Sequence, residues 1–233
     1  EDQGRVEVRL GRQVVPGTTL RRKVLALLCL LLSKPKYAAT RDEVVDALWP
    51  DLAPEIAVNS LNQTVYFLRR VFEPGYKEDL SAGFVNHDSD LLWLDDSLVH
   101  SRSRMCRELI DRLGTDPSPA DVERLSKMYV GRFALDFSYE EWSVPFRDGL
   151  HVSYLQTIER AVNRDMDSGH YQRAIALARR ALEIDPDQES LELSLLRLYR
   201  MTGAHSAAAE QYVHYSGYLR EELGEEAPPL ASL

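Results

Sequence analysis

The pattern of apolar and polar positions divides the chain into a mixed first part and a helical second part. Val6, Val8 and Leu10 alternate with polar and charged residues, which predicts a short strand with one buried face. The apolar run 24–32 follows the basic stretch Arg21–Lys23 and predicts a largely buried helix. Cations oppose the dipole at a helix N-terminus, so these basic side chains either face a phosphate or are simply solvated.

Two more helices are expected before residue 75. Thr40 followed by Glu43 gives the S/T-x-x-E capping box, so a second helix begins here and ends at Pro50. A third helix begins after Pro54. Apolar residues at spacings of three and four predict its buried stripe, which consists of Val58, Leu61, Val65, Leu68 and Phe72.

The opposite face of the third helix carries side chains that are suited to DNA. It comprises Asn59, Ser60, Gln63, Tyr66, an exposed Phe67 and Arg70, with Asn62 and Arg69 on its flank. Amides read base edges and arginines hold phosphates, so we expect Gln63 to contact bases and Arg70 to contact phosphate. The predicted DNA contacts are these eight residues together with Thr40, Arg41 and His87. A plain amphipathic helix would show the same pattern.

A β-hairpin is predicted to close this first part. Apolar residues at 84–85 and 91–94 flank polar turn residues at 86–90. Strand, three helices and terminal hairpin is the order of a winged helix-turn-helix domain, in which the third helix enters the major groove. In that fold the hairpin is the wing.

Helical repeats dominate the remainder. A linking helix is expected to end at Leu113, and the segment 114–119, rich in Gly, Pro and Ser, indicates a boundary. Gly169 and Gly203 begin similar segments 34 residues apart, the period of tetratricopeptide repeats. His170 and His205 fall in the matching turns, where we expect surface positions. The predicted fold class is therefore mainly α: a winged helix with a small sheet and a wing, then an all-α tetratricopeptide-like domain.

Charge separates the two parts. Residues 1–110 carry 15 basic and 16 acidic side chains, whereas residues 111–233 carry 13 and 21, within a net charge of −9. The acidic excess of the second part disfavours DNA binding, because phosphate would be repelled, and favours protein contact. Cys29 and Cys106 lack the spacing of a metal or redox pair, and no apolar run is long enough for a membrane span, so a cytoplasmic protein without a membrane partner is expected. Glu1 in place of Met suggests a piece of a longer protein.

Several motifs together resemble one known family. They are the segments 43–50 and 60–70, Glu141-Trp142, Gly169-His170-Tyr171, and 218–228. This set is similar to the antibiotic regulatory proteins of actinomycetes, the SARP family. The resemblance implies an OmpR-type winged-helix domain at 1–98 and a bacterial transcriptional activation domain at 99–233. It further implies an activator that binds double-stranded promoter DNA and contacts RNA polymerase or a sigma factor, a second copy of itself, or other domains of a longer chain.

An enzyme and a protein-interaction module are the two alternative classes of function for this sequence. An enzyme is disfavoured because the chain lacks the phosphate-binding, nucleophile-elbow and zinc-protease motifs, so no catalytic residue, metal or cofactor is predicted. A protein-interaction module of a larger regulator, without DNA affinity, is the stronger rival. The near-neutral first part and the aromatic Phe67 both favour it.

Overall fold

The computed structural model describes residues 1–114 and 117–230, which form two compact units. The first unit combines Glu1–Glu108 with Gly131–His151, and the second combines Leu109–Val130 with Val152–Leu233. The predicted boundary segment 114–119 includes Thr115 and Asp116, which lie outside the described residues.

The first unit begins with an antiparallel hairpin. Strand β1 (Glu7–Leu10) pairs with β2 (Gln13–Pro16) in the register Val8 to Val15. Gly11 has φ +58° in the tight turn between them, a conformation that side chains with a Cβ disfavour. The predicted first strand is confirmed. Its partner β2 lacks a buried face, which explains why alternation did not reveal it.

Three helices form the centre of this unit. Helix α1 (Arg22–Ser33) is buried from Val24 to its end, as expected from its apolar run. Helix α2 (Arg41–Leu48) begins with the predicted capping box: Thr40 Oγ1 accepts from the Glu43 amide at 3.1 Å, and Glu43 Oε2 accepts from the Thr40 amide at 2.8 Å. Helix α3 (Pro54–Phe72) starts with proline, which suits the first turn of a helix.

A three-stranded antiparallel sheet completes the winged helix. Its order is β3–β5–β4, with β3 at Ala38–Thr40, β4 at Val85–His87 and β5 at Leu91–Leu94. Strands β4 and β5 pair Val85 with Leu94 and His87 with Leu92, so the predicted hairpin is confirmed. Within the described residues no strand follows Leu94, which agrees with the predicted fold class.

A later segment of the chain, residues 131–151, belongs to this first unit. Its backbone bonds to the N-terminal segment, with the Gly4 amide donating to the Arg132 carbonyl at 2.8 Å and the Leu135 amide donating to the Gly4 carbonyl at 2.9 Å. Phe133 and Phe137 are buried in the same core as α1 and α3. The core of the winged helix therefore includes side chains that lie far along the sequence.

The second unit is built from helices. Helix α4 (Arg102–Leu113) and helix α6 (Val144–Asp167) each contain a boundary between the units, and α5 (Pro119–Met128) lies between them in sequence. Three helices follow: α7 (Tyr171–Ile184), α8 (Glu189–Met201) and α9 (His205–Tyr218). Among the helices described, none has the length and apolar character that crossing a membrane requires.

The predicted repeat is visible in this unit. Gly169 and Gly203 have φ of +76° and +71° in the turns that precede α7 and α9. Five residues after each glycine, Ala174 and Ala208 are buried, at 0% and 2% exposure. His170 lies in the first of these turns and is exposed, as expected. The shared turn conformation and the shared small buried residue confirm the repeat of 34 residues that the sequence indicates.

Candidate nucleic-acid interface

Helix α3 is anchored by one face and exposes the other. Leu61, Val65 and Leu68 lie in the core, as predicted, but Val58 is 42% exposed and Ala57 is buried in its place. The buried stripe therefore starts at Ala57, four residues before Leu61, and Val58 points about 100° away from it. The expectation that Val58 is buried was wrong, because apolar character alone did not locate the start of the stripe.

The exposed face of α3 carries most of the predicted DNA contacts. Its exposed members are Asn59, Asn62, Gln63, Tyr66 and Arg70, and Ser60 is half-buried. The Ser60 hydroxyl donates to the Ile56 carbonyl at 2.9 Å, within the helix. The structure thus brings amides, a phenol and a guanidinium together on one solvated surface, and these groups can donate and accept hydrogen bonds at base edges.

Phe67 is not an exposed residue of this face. It is half-buried, packs against the hydrophobic core, and lies under the Arg21 guanidinium, whose central carbon is 3.8 Å from the ring centroid. Tyr66 meets the Phe67 ring edge-on at a centroid distance of 5.5 Å. The predicted exposure of Phe67 was therefore wrong. The cation of Arg21, which directly precedes α1 and lies 46 positions earlier in the sequence, covers the ring.

The basic first turn of α1 is explained by contacts within the protein. Besides Arg21 on Phe67, Arg22 Nη2 lies 3.3 Å from Glu140 Oε1, and Lys23 Nζ donates to the Leu48 carbonyl. Leu48 is the last residue of α2, where carbonyls lack helical partners. These cations therefore offset their unfavourable place at a helix N-terminus through local partners. All three residues are also exposed to solvent, as the solvated alternative expects, so no bound phosphate is needed to explain them.

The two arginines near the end of α3 lie in different environments. Arg69 is half-buried: its Nε donates to the Val85 carbonyl of β4 at 3.1 Å, and its Nη1 donates to Tyr76 Oη at 3.0 Å. It therefore holds α3 against the wing. Arg70 is exposed, with its guanidinium 5.9 Å from the Tyr66 ring centroid. Of the two, Arg70 has the position from which a side chain can reach an external anion.

The start of α2 is connected to both α3 and the wing. The Arg41 side chain donates through Nη2 to Asn62 Oδ1 of α3 at 2.7 Å. The Arg41 backbone amide donates to the Asp90 carbonyl at 2.8 Å. Thr40, the preceding residue, is exposed, and its hydroxyl is occupied by the capping box. Thr40, Arg41 and Asn62 thus form a connected polar corner at the junction of α2, α3 and the β4–β5 turn.

The tip of the wing is acidic, a feature that the sequence analysis did not single out. His87 is exposed at the end of β4, and Asp88 and Asp90 follow in the turn. Asp88 Oδ1 accepts from the Leu91 amide at 2.7 Å and from the Asp90 amide at 2.8 Å. These two bonds, the Leu91 bond first, lower the pKa of Asp88, so it stays ionised at neutral pH. The signal was present in the sequence as two aspartates beside His87.

Across residues 1–114 and 117–230, no three His, Cys, Asp or Glu side chains are grouped so that they could hold a metal ion. Both cysteines are buried with unpaired thiols, and burial raises the pKa of each. The chemistry available here is hydrogen bonding and charge.

Comparison with known proteins identifies the second part of the chain. Residues 120–232 match the family model of the bacterial transcriptional activator domain. The chain is also 26% identical, over 95% of its length, to the regulatory protein AfsR of Streptomyces coelicolor. It spans 22% of the length of that protein.

The fold is shared with a protein of solved structure. The chain aligns over 99% of its length with EmbR of Mycobacterium tuberculosis, solved in complex with a low-affinity phosphopeptide, with a TM-score of 0.63 and 17% identity. It covers 62% of that chain, and the likeness supports the winged helix followed by a helical domain. The resemblance inferred from the sequence motifs is therefore supported: the second part of the chain matches the bacterial transcriptional activator domain, and the chain as a whole is similar to a regulatory protein.

Proposed function

We propose that this regulator binds double-stranded promoter DNA with sequence preference through α3, which enters the major groove while the β4–β5 hairpin acts as the wing. The observation that carries the proposal is the exposed polar face of α3 opposite its buried stripe. Gln63 and Asn59 would contact base edges, and Arg70 would contact phosphate. A helix anchored along its whole buried face presents these side chains at a fixed angle, which sequence readout requires.

The other predicted contact residues divide into two roles under this proposal. Arg41 and Asn62, already bonded to each other at 2.7 Å, would contact the phosphate backbone as a pair with Thr40 beside them. His87 would approach DNA from the wing, and Ser60 and Tyr66 would border the base-reading residues. Phe67 and Arg69 would act indirectly, because the first is covered by Arg21 and the second is bonded to Val85.

The second part of the chain is proposed as the protein-contact module. Its 21 acidic and 13 basic side chains over residues 111–233 would repel phosphate, so DNA affinity is assigned to the first part alone. The partner would be RNA polymerase or a sigma factor, a second copy of this chain, or further domains of a longer protein. We accordingly divide the functions at 1–98 and 99–233. Promoter binding and two unpaired thiols both suit the bacterial cytoplasm.

A second candidate function, docking of a protein partner, is supported by exposed apolar side chains near the start of α3. Ile56 is 56% exposed, and Val58 and Leu52 are 42% and 40% exposed around the start of α3. Exposed apolar side chains that cluster in this way suit a protein partner more than a phosphate backbone. Together with the near-neutral charge of residues 1–110, they favour a winged helix that serves as a docking surface.

A selection from random DNA followed by a salt titration separates these functions. The DNA-binding proposal predicts enrichment of a defined site, with an affinity that falls steeply with salt because each phosphate contact contributes about −0.9 to the logarithmic slope. Absence of any enriched site, with the protein folded by circular dichroism, would support the docking surface instead. The experiment should use the full chain, because a cut at residue 98 removes Phe133 and Phe137 from the core of the first unit.

A further inference from the structure

A half-enclosed pocket lies among α5, α6 and α7, within the second unit. Its volume is about 290 Å³, close to the lower end of the range for small-molecule sites. Val122 of α5 and Leu177 of α7 are buried beneath it, and Ala176 contributes to its wall. A pocket with an apolar floor of this size has room for a compact ring system.

Cationic side chains surround this floor. Of the described side chains that line the pocket, four are cationic and two are anionic: Lys127, Arg164, Arg173 and Arg180 against Glu123 and Asp165. Residues 111–233 as a whole carry an excess of acidic side chains, so this local balance is the reverse of its surroundings. Lys127 pairs with Glu123 at 2.6 Å and Arg173 pairs with Asp165 at 2.5 Å.

Arg180 is held in place by groups that leave its charge uncompensated. Its Nε donates to the Ser126 carbonyl at 2.6 Å, and its Nη2 donates to the Lys127 carbonyl at 3.5 Å. These carbonyls belong to the last turn of α5, where they lack helical partners. A carbonyl fixes the guanidinium without neutralising it, and no carboxylate of the described residues pairs with Arg180. The site is therefore a positioned cation beside an apolar floor.

We infer that this pocket binds a small organic anion, in which a carboxylate or phosphate group is carried on a compact apolar body. The anionic group would meet Arg180 at the rim, and the apolar body would cover Val122 and Leu177. Recognition needs both parts, because an inorganic anion would leave the floor exposed and a neutral ring would leave Arg180 unpaired. The site is independent of the exposed face of α3, so a ligand here would act on the activator domain itself.

Titration of the full chain with four probes tests the inference: 2-naphthoate, the neutral analogue 2-naphthalenemethanol, inorganic phosphate and phenyl phosphate. Calorimetry or ligand-observed NMR should show saturable binding of 2-naphthoate. Phenyl phosphate, as a fourth probe, compares phosphate with carboxylate as the anionic group. We expect the neutral analogue and inorganic phosphate each to bind at least about tenfold more weakly, a factor that corresponds to about 1.4 kcal/mol.

Two variants of adjacent residues provide the matched comparison. Arg180→Gln should weaken 2-naphthoate binding about tenfold. Arg179→Gln removes the same charge from the preceding residue, which lines a different groove. This control variant should change the affinity for 2-naphthoate by less than about twofold. Ala176→Phe fills the pocket, keeps every charge and should abolish binding, which provides a second test should Arg180→Gln fail to fold. Equal affinities for the two arginine variants, equal affinity for the neutral probe, or unchanged binding by Ala176→Phe would each overturn the inference.

Discussion

The guanidinium of Arg21 lies over the ring of Phe67, with its central carbon 3.8 Å from the ring centroid. Arg21 immediately precedes α1, and Phe67 lies on the flank of α3, so the contact joins two helices across the edge of the exposed face. Arg70 and Val71 of α3 border the same hollow beside Arg21. The pair therefore lies at one edge of the exposed face of α3.

This stack should contribute measurably to folding. Arg21→Ala and Phe67→Leu each remove the cation–π contact, and the leucine keeps most of the apolar packing. In a double-mutant cycle by urea unfolding, we expect a coupling of about 0.5–1 kcal/mol at a partly exposed site. Arg12→Ala, an exposed arginine in the β1–β2 turn, serves as the control and should change the free energy of unfolding by less than about 0.5 kcal/mol. Strictly additive effects of the two substitutions would rule out the contact as a source of stability.

Features with a local cause were predictable from the sequence. The capping box needs only Thr40 and Glu43, three residues apart, and the structure contains both of its bonds. The β4–β5 hairpin follows from apolar segments around a polar turn. The repeat follows from Gly169 and Gly203, since each turn requires a positive φ that glycine adopts readily. In these cases the residues that determine the structure are neighbours or repeat at a fixed period.

Features that depend on distant partners were not predictable in this way. Phe67 has the helical position of an exposed residue, but it packs against the core and Arg21 covers its ring. Strand β3 has three residues and is defined by its pairing with β5, as Ala39 opposes Leu92. Residues 131–151 pack with the winged helix, although the activator-domain model also spans them. Periodicity reports which face of an element is apolar, but it carries no information about which segment will cover that face.

The capping box of α2 gives a second prediction. Thr40→Ala removes the hydroxyl that accepts from the Glu43 amide, and loss of such a cap costs about 1 kcal/mol. Ser138→Ala, which removes a hydroxyl bonded to a local carbonyl but caps no α-helix, is the comparison. In urea unfolding at neutral pH, the free energy of unfolding of Thr40→Ala should be clearly lower than that of Ser138→Ala. A Thr40 variant as stable as the parent would mean that α2 does not depend on its cap.

The same motif predicts a pH dependence. Glu43 has a lowered pKa in the folded state, chiefly because it accepts from the Thr40 backbone amide. A lowered folded pKa means that the added stability is complete above the pKa of the unfolded chain and is lost as the pH falls through the lower, folded value. Glu43→Gln should therefore reduce the difference in unfolding free energy between pH 7 and about pH 4, near the ordinary glutamate range. An unchanged difference would show that Glu43 is not stabilised by the cap.

The ion pair of the buried Asp165 with Arg173 predicts that removing either side chain lowers the free energy of unfolding, but by unequal amounts. The Asp165 side chain is 1% exposed and accepts from Arg173 at 2.5 and 2.6 Å, whereas the Arg173 side chain is 37% exposed. Arg173→Ala leaves a buried carboxylate whose remaining cationic neighbour among the described residues is Arg164 at 3.8 Å, and should cost about 3 kcal/mol. Asp165→Asn leaves an arginine that water can reach, so about half that cost is expected. If urea unfolding shows that Asp165→Asn destabilises the protein more than Arg173→Ala, the buried carboxylate is not the half of the pair that depends on its partner.

Two substitutions on α3 distinguish phosphate contact from base contact. Arg70→Ala should weaken binding to all sequences and flatten the logarithmic salt slope by about one unit. Gln63→Ala should instead relax preference at one or two base pairs, with a loss of about 1–3 kcal/mol at the preferred site. Competition assays with selected and scrambled duplexes at several salt concentrations measure both effects. Parent-like binding by both variants would exclude α3 as the reader.

The acidic wing predicts a substitution that strengthens binding. Asp90 is exposed, its side chain makes no bond among the described residues, and its backbone carbonyl accepts from the Arg41 amide, a bond that Asp90→Asn retains. Removing one negative charge about 7 Å from a phosphate in water removes a repulsion of about 0.6 kcal/mol, so affinity should rise about threefold at low salt. The gain should be the same for every DNA sequence and should shrink as salt screens the charge. Asp187→Asn, which changes the net charge equally in the second unit, should leave affinity unchanged, and an equal gain from both variants would show that the wing itself does not approach DNA.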